Sequence, residues 1–326
     1  MRRYVTAGIV LILAAAAALL CGNSAIGAGD VLRTLAGNGT RAQQVIVFQV
    51  RLPRVAAALL SGAALSVSGY LLQNNLNNAV ASPGLLGINN GAGLFVLISA
   101  LVFPYQAGMK CVMAFAGALA VTLLVSLLSS GTGLSKTSVI LSGVAVSAVC
   151  VAAADVIISV RPETVADKTA FQLGGFGDVS LTTVSIAAPV IVTMLALAFV
   201  LAGGMDLMAL GDEVAQGLGV RVRMYRLIYL LCASLLAGAA VSMSGMIGFV
   251  GLMVPNLVRM VHHGKSRGGI ALCMMVGSAF LLLCDTLARV IVFPYELPCG
   301  LLLSALGAPF LIWMLVRKRK RLGVND

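Results

Sequence analysis

Apolar residues in this chain occur in long runs that are separated by short polar breaks. Ten such runs can be marked, and most approach the roughly 20 residues that a helix needs to cross a bilayer core. They lie near residues 4–28, 52–73, 87–103, 109–129, 138–160, 183–203, 226–247, 249–262, 268–292 and 299–316. The eighth run is short, which predicts a broken or half-depth helix. The pattern predicts an all-α polytopic membrane protein with about ten transmembrane helices.

The first run is open to two interpretations. Arg2 and Arg3 precede an apolar core that small residues follow, as in a secretory signal peptide. The stretch from Val5 to Leu20 is at the long end for such a peptide, and many further runs follow it, so we predict an uncleaved first span. Ten spans place both termini on one side of the membrane. The basic tail, Arg317–Arg321, predicts that this side is the cytoplasm.

Composition supports a membrane-embedded chain, and this affects how its net positive charge is interpreted. Hydrophobic residues make up 60% and charged residues 10% of the sequence, whereas soluble proteins carry about 25% charged residues. The net charge of +11 could indicate nucleic-acid binding, but multi-spanning proteins collect Lys and Arg in cytoplasmic segments. Most of the 22 basic residues fall in predicted cytoplasmic segments. The bias is modest, and we expect no nucleic-acid partner.

The sequence contains no convincing catalytic or metal-binding pattern. Residues 130–137, SGTGLSKT, and 259–266, RMVHHGKS, end like phosphate-binding loops. The first lacks both required glycines, the second lacks one, and each flanks an apolar helix. His262 and His263 are adjacent, so on a helix they point about 100° apart and chelate poorly. The seven cysteines lack C-x-x-C spacing and are interpreted as small hydrophobic residues. We predict no catalytic residues, metal or cofactor on this chain.

Two carboxylates fall inside apolar runs, where a charge is costly and marks a partner or a pathway. Asp285 precedes Arg289 by four residues, which is the favourable order for an ion pair along a helix. Asp155 has no evident partner in the sequence. It is interpreted as facing a wet cavity, and its role stays open.

The stretch 210–226, LGDEVAQGLGVRVRMYR, is the most distinctive predicted cytoplasmic segment. Asp212 and Glu213 open a short helical pattern that glycines bound, and Val214 and Leu218 share one helix face. The segment is too short and too polar to cross a bilayer. It is either an ordinary loop or a surface helix that meets a soluble partner.

Eight motifs follow one another in a characteristic order along nearly the whole chain: RLPRVAAALLSGAALSVSGYLLQ, NNLNNAVASPGLLGINNGAGL, LSGVAVSA, LGGFGD, LGDEVAQGLGV, GMIGFVGLMVPNLVRMV, DTLAR and ELPCGLLLSALGAPFLIWML. Together they resemble the FecCD-type (type II) permeases of ABC importers for iron-siderophores, haem and cobalamin. GGFGD and SPGLLGINNGAG are especially similar to the cobalamin permease. The chain departs from the family in three places. Ala79 stands where proline is usual, Asn256 where histidine is usual, and Lys265–Arg267 where the family has D-H-R.

The resemblance implies one transmembrane permease domain over residues 1–326, with a cobalamin-permease-like helix bundle and a cytoplasmic coupling segment at about 204–226. It implies a homodimer with the pathway on its two-fold axis, in the inner membrane of a bacterium. Two ATP-binding subunits, which carry ATP and magnesium, are implied on the cytoplasmic side. An extracytoplasmic substrate-binding protein is implied outside. The implied cargo is a ferric siderophore, haem or cobalamin.

The resemblance also implies roles for particular residues. The residues that match the coupling helix are Leu210, Gly211, Asp212, Glu213, Val214, Ala215, Leu218 and Gly219. Those that match the pathway and its cytoplasmic gate are Asn78, Lys136, Thr137, Ser142, Gly143 and Ser147.

Arg51 and Arg54 raise a separate question about the second run. Pro53 suits the first turn of a helix, yet cations are unfavourable at a helix N-terminus. Snorkelling to lipid headgroups is one explanation. The resemblance implies another, in which Arg51, Arg54 and Arg289 receive acidic residues of the binding protein at the outer surface.

Two other classes of function remain alternatives. An ion-gradient-driven secondary transporter is expected to show mid-membrane ionisable residues and interrupted helices in matching halves, and this chain shows few of either. A membrane-embedded structural or signalling subunit is the other alternative. Binding of an ATP-hydrolysing partner at residues 210–219 would distinguish the importer from both.

Overall fold

A computed structural model describes residues 2–22, 26–103, 106–132, 135–292 and 295–321, and the regular structure within these ranges is helical. A π-helical turn spans Ile46–Arg51. The α-helices are α1 Arg2–Leu20, α2 Ala28–Leu35, α3 Arg41–Val45, α4 Leu52–Asn75, α5 Ile88–Val102, α6 Ala107–Leu128, α7 Lys136–Val160, α8 Val165–Leu173, α9 Leu181–Met208, α10 Asp212–Gly217, α11 Val222–Ser244, α12 Val250–Val261, α13 Ser266–Val290 and α14 Cys299–Arg321.

Each of the ten predicted apolar runs forms a helix, which confirms the fold class. Seven helices within the described ranges are long and apolar enough to cross a membrane, and α5, α12 and α14 contain shorter apolar stretches. The eighth run becomes α12, whose 12 residues span roughly 18 Å at 1.5 Å per residue. That length is well below the roughly 30 Å of a bilayer core, so the prediction of a short helix is confirmed.

Three helices, α4, α11 and α13, form the centre of the bundle, while α1, α7 and α9 are far less buried. Glycines allow the central backbones to touch. A Cβ added at Gly62 would overlap the backbone at Gly277, and one at Gly69 would overlap the backbone at Gly251. Close approach through small residues is how helices pack where no hydrophobic effect drives them together.

The α-helix of the second span begins at Leu52 with Pro53 in its first turn, but the helical backbone does not begin there. The helix is continuous from Arg41 to Asn75, and Leu52 donates its N–H to the carbonyl of Val47, five residues back. Proline has no N–H and its ring clashes with the carbonyl four residues before it in a regular α-helix. The wider π-helical turn before Pro53 accommodates both defects. Arg51 therefore lies within a long helix rather than at a helix N-terminus.

Candidate translocation and partner-contact sites

Two arginines share one buried carboxylate at the predicted outer end of the bundle. Nη2 of Arg54 lies 3.0 Å from Oδ1 of Asp285. Nε of Arg289 lies 3.2 Å from Oδ2 of Asp285. The predicted pairing of Asp285 with Arg289 is confirmed. Arg54 also reaches Glu296, whose Oε2 is 2.8 Å from Nη1. One carboxylate on α13 thus neutralises guanidinium groups from α4 and α13.

Arg51 and Arg289 together cap the end of α1. Arg51 Nη1 donates to the carbonyls of Leu19 and Leu20 at 2.9 and 3.1 Å, and Arg289 donates to those of Cys21 and Ala18 at 3.0 and 3.1 Å. The last carbonyls of a helix have no partner within it and carry its negative dipole end. Arg51, which looks misplaced beside Pro53, is therefore well placed at the C-terminus of a different helix.

The structure corrects the expectation of an exposed arginine patch. The residues Arg51, Arg54 and Arg289 are only 4%, 8% and 3% exposed, and their contacts include the end of α1, Asp285 and Glu296. They do lie together, but as an internal clamp on α1. Of the three, Arg54 lines an outer cleft of about 680 Å³, which Lys110, Asp178, Glu296 and the backbone of residues 174–177 also line.

The predicted coupling segment forms a short helix, α10, with an exposed apolar face. Leu210, Val214 and Leu218 are 60%, 52% and 59% exposed, while Ala215 is fully buried against the bundle. Glu213 is exposed. Gly211 and Gly219 flank the helix with φ of 110° and 84°, a region that favours glycine. Val214 and Leu218, four residues apart, form one exposed apolar ridge, and the exposed Leu210 lies just before the helix, which matches the pattern of a partner-binding helix.

Asp212 ties α10 to two other helices. Its carboxylate accepts a hydrogen bond from the buried Arg226 of α11 at 2.8 Å and lies 3.8 Å from Nζ of Lys136, the first residue of α7. Arg223 also reaches the carbonyl of Ser130, just before α7, at 3.4 Å. The apolar ridge of α10 is thus connected by ion pairs to α7 and α11. Sequence reasoning missed Arg226, although an arginine at the start of an apolar run was its visible signal.

The predicted gate residues lie near this connection. Lys136 is half-buried and Thr137 is exposed in the first turn of α7. Asn78 follows α4, and its Oδ1 accepts the N–H of Val80 at 3.0 Å. The two family departures near this turn contact each other, since Asn256 Nδ2 donates to the carbonyl of Ala79 at 2.9 Å. Asn256, which differs from the usual residue of the resembling permeases, thus contacts the backbone of Ala79, which also differs from the usual residue.

The predicted pathway residues of α7 contact other parts of the same chain. A Cβ at Gly143 would lie 2.9 Å from the Cα of Leu86, and Ser147 accepts a hydrogen bond from Asn90 of α5 at 2.5 Å. Ser142 is 3.3 Å from the hydroxyl of Ser129. The exposed face of α7 carries different residues, namely Leu141, Ala145, Ala148, Val149 and Ala152.

Asp155 has a partner that the sequence did not suggest. Lys168 of α8 places Nζ 2.5 Å from its Oδ1, and the carboxylate is largely exposed. The pair links the outer part of α7 to α8. Asp155 is therefore not an isolated buried charge.

Other predictions from the sequence have simpler outcomes. Six of the seven free cysteines are buried, which confirms their interpretation as small hydrophobic residues. His262 packs edge-on against Tyr4 with ring centroids 6.4 Å apart. The phosphate-loop look-alike at 130–137 lies partly outside the described residues, and so do the side chains of the basic tail.

The fold and these sites define a multi-pass helical membrane permease. The FecCD transport family model matches residues 10–317, and the chain belongs to this family. It is 37% identical over 323 residues to the hemin transport system permease protein HmuU of Yersinia pestis, covering 96% of both chains. It is 35% identical to the ferric enterobactin permease protein FepD of Escherichia coli, covering 96% of this chain and 94% of that protein.

A third relative and two solved structures extend the comparison. The vitamin B12 permease protein BtuC of Yersinia enterocolitica is 33% identical, with 97% of this chain and 93% of that protein covered. A metal-chelate type ABC transporter in an inward-facing conformation matches with a TM-score of 0.85 at 25% identity, covering 97% and 98% of the two chains. PsaBC from Streptococcus pneumoniae matches in fold alone, with a TM-score of 0.60, 16% identity and coverage of 83% and 92%.

Proposed function

We propose that this chain is the permease subunit of an ATP-driven importer for a large metal chelate, of the ferric siderophore, haem or cobalamin class. The observation that carries the proposal is the exposed apolar ridge of α10, which ion pairs connect to the pathway helix α7 in a chain of the FecCD family. An exposed apolar ridge of that kind is expected to be buried against a partner protein, because it lies on a segment too short to enter the bilayer. The proposed partner is an ATP-binding subunit that holds ATP and magnesium.

The proposed assembly contains two copies of the chain in the inner membrane of a bacterium, with both termini in the cytoplasm and α10 facing the cytoplasm. The pathway runs between the copies along the exposed face of α7. Support comes from the small size of Ala145, Ala148 and Ala152 on that face, because small residues let helices or cargo approach closely. Lys136, Thr137 and Asn78 then form the cytoplasmic gate next to α10.

Uptake by reconstituted protein tests this function. The permease, its ATP-binding subunit and its binding protein are placed in liposomes, and accumulation of a ferric siderophore, haem or cobalamin is measured. Uptake is expected when ATP is supplied on the side of the liposome membrane that carries the ATP-binding subunits. No uptake is expected with an ion gradient alone. Gradient-driven uptake without ATP would instead establish the secondary transporter.

We also propose that the extracytoplasmic binding protein docks over the outer cleft and engages Arg54 there. Glu296 now occupies Nη1 of Arg54 and is 38% exposed, so an incoming carboxylate would replace it. Arg51 and Arg289 would act from below, by holding α1 and Asp285 in place. Bidentate arginine–carboxylate pairing would fix the orientation of the binding protein.

Replacing Glu296 with glutamine is expected to strengthen capture of the binding protein by several-fold, because the competing carboxylate is removed while Arg54 keeps Asp285. The measurement is the affinity of the binding protein for the permease in nanodiscs. Asp178→Asn is the matched control, since it removes the same charge from the cleft. An equal effect of the two variants, or no effect of Glu296→Gln, would show that Arg54 takes no part in docking.

A further inference from the structure

A groove of about 440 Å³ lies between α1, α12 and α13, away from the cleft and from α10. Apart from Arg3 and Thr6 its lining is apolar, with Val10 on α1, Val261 on α12 and Leu283 on α13 among the exposed members. The groove exists because α12 is short and because α1 is packed mainly on α13. An apolar groove on the outside of a membrane bundle faces lipid chains.

The length of the groove matches one leaflet of a bilayer. Its lining on α13 runs from Leu272 to Leu283, which is roughly 16 Å along a helix at 1.5 Å per residue. Half of a hydrocarbon core is about 15 Å. One acyl chain can therefore lie along the groove from the membrane surface to the bilayer midplane.

The mouth of the groove is basic. Arg3 lines it and donates a hydrogen bond to the carbonyl of Val261, at the end of α12. Arg2 on α1, and Lys265 and Arg267 at the start of α13, are exposed. The contact of Tyr4 with His262 holds the start of α1 against the turn that carries Lys265.

The carboxylate that approaches this turn is already engaged. Asp206 accepts the backbone N–H of Ser266 at 2.8 Å, where it caps the start of α13. Arg3 in the groove, with three further exposed cations on the adjoining starts of α1 and α13, then favours a ligand that joins a negative head to a long apolar tail. Basic pockets between transmembrane helices at the cytoplasmic surface bind anionic headgroups for the same reason.

We infer that this groove is a binding site for an anionic phospholipid, with one acyl chain between α1 and α13 and the phosphate at Arg3 and Lys265. The assignment of the site to the cytoplasmic leaflet rests on the proposed orientation of the permease. The bound lipid fills the gap beside α1 and so attaches this lightly packed helix to the bundle.

Native mass spectrometry of the full chain in detergent tests the inference. Phosphatidylglycerol is expected to be retained several-fold more than phosphatidylethanolamine with the same acyl chains. The double variant Arg3→Ser, Lys265→Ser is expected to reduce this preference to nearly none. Arg41→Ser, an exposed arginine on α3, is the charge control and is expected to leave it unchanged.

A second variant tests the groove without changing its charge. Val10→Trp fills the groove and is expected to reduce retention of phosphatidylglycerol, whereas Val5→Trp, at an exposed position of α1 outside the lining, is expected to have no effect. Equal retention of the two lipids by the wild type, or wild-type retention by both the double variant and Val10→Trp, would overturn the inference. Because the assay measures lipid binding alone, neither result bears on transport.

Discussion

Replacing Asp285 with alanine is expected to lower the free energy of unfolding by about 3–5 kcal/mol, which is the range for removing one partner of a buried ion pair. Asp285 is only 2% exposed and pairs with both Arg54 and Arg289. Its loss leaves the buried Arg289 without its carboxylate partner and leaves Arg54 with Glu296 alone. Arg289 and Arg51 hold the end of α1, so we expect α1 to detach first.

The measurement is the thermal unfolding of the purified chain in detergent, together with the fraction that stays monodisperse on size-exclusion chromatography. Asp155→Ala is the matched control, because that carboxylate is exposed and pairs with one lysine. An exposed pair contributes at most about 1 kcal/mol. Equal stability of the Asp285→Ala and Asp155→Ala proteins would show that the arginine cluster does not hold the bundle together.

Changing both Val214 and Leu218 to aspartate is expected to reduce transport by at least tenfold while the transmembrane helices still fold. Both side chains are exposed on α10, so the substitutions leave the bundle intact. The proposed contact with the ATP-binding subunit depends on burying them, and burying an unpaired carboxylate costs several kcal/mol. Co-purification of the ATP-binding subunit and uptake into liposomes are the two measurements.

Gln216→Asp provides the control for this double variant. It adds a carboxylate to the same helix, at an exposed position off the ridge of Val214 and Leu218. We expect it to keep both binding and transport. If the Val214→Asp, Leu218→Asp protein still binds its ATP-binding subunit and transports normally, then α10 is not the coupling helix.

The sequence alone determined the features that depend on neighbouring residues. Ten apolar runs predicted ten helices, because the length of an apolar run and the need to satisfy backbone hydrogen bonds in lipid leave little choice. The four-residue spacing of Asp285 and Arg289 predicted their ion pair. The spacing of Val214 and Leu218 predicted the ridge on α10 for the same reason.

The face that each membrane helix turns inward was decided by the tertiary structure. Helix α7 is apolar on nearly all sides, so its sequence carries no periodic signal of which side is buried. Gly143 packs against Leu86 and Gly87 just before α5, and Ser147 against Asn90 of α5, because their small size lets the two segments touch. The alanines at 145, 148 and 152 remain exposed, although their hydrophobicity differs little from that of their buried neighbours.

Long-range partners of charged residues were also decided by the tertiary structure. Arg51 lies beside Pro53 in sequence, but it caps a helix that ends about 30 residues earlier, at Leu20. Asp155 pairs with Lys168 on another helix, and Asn256 reaches Ala79 across the bundle. A sequence shows which charges and polar groups a membrane protein must satisfy. The packing of the helices determines which distant groups come close enough to satisfy them.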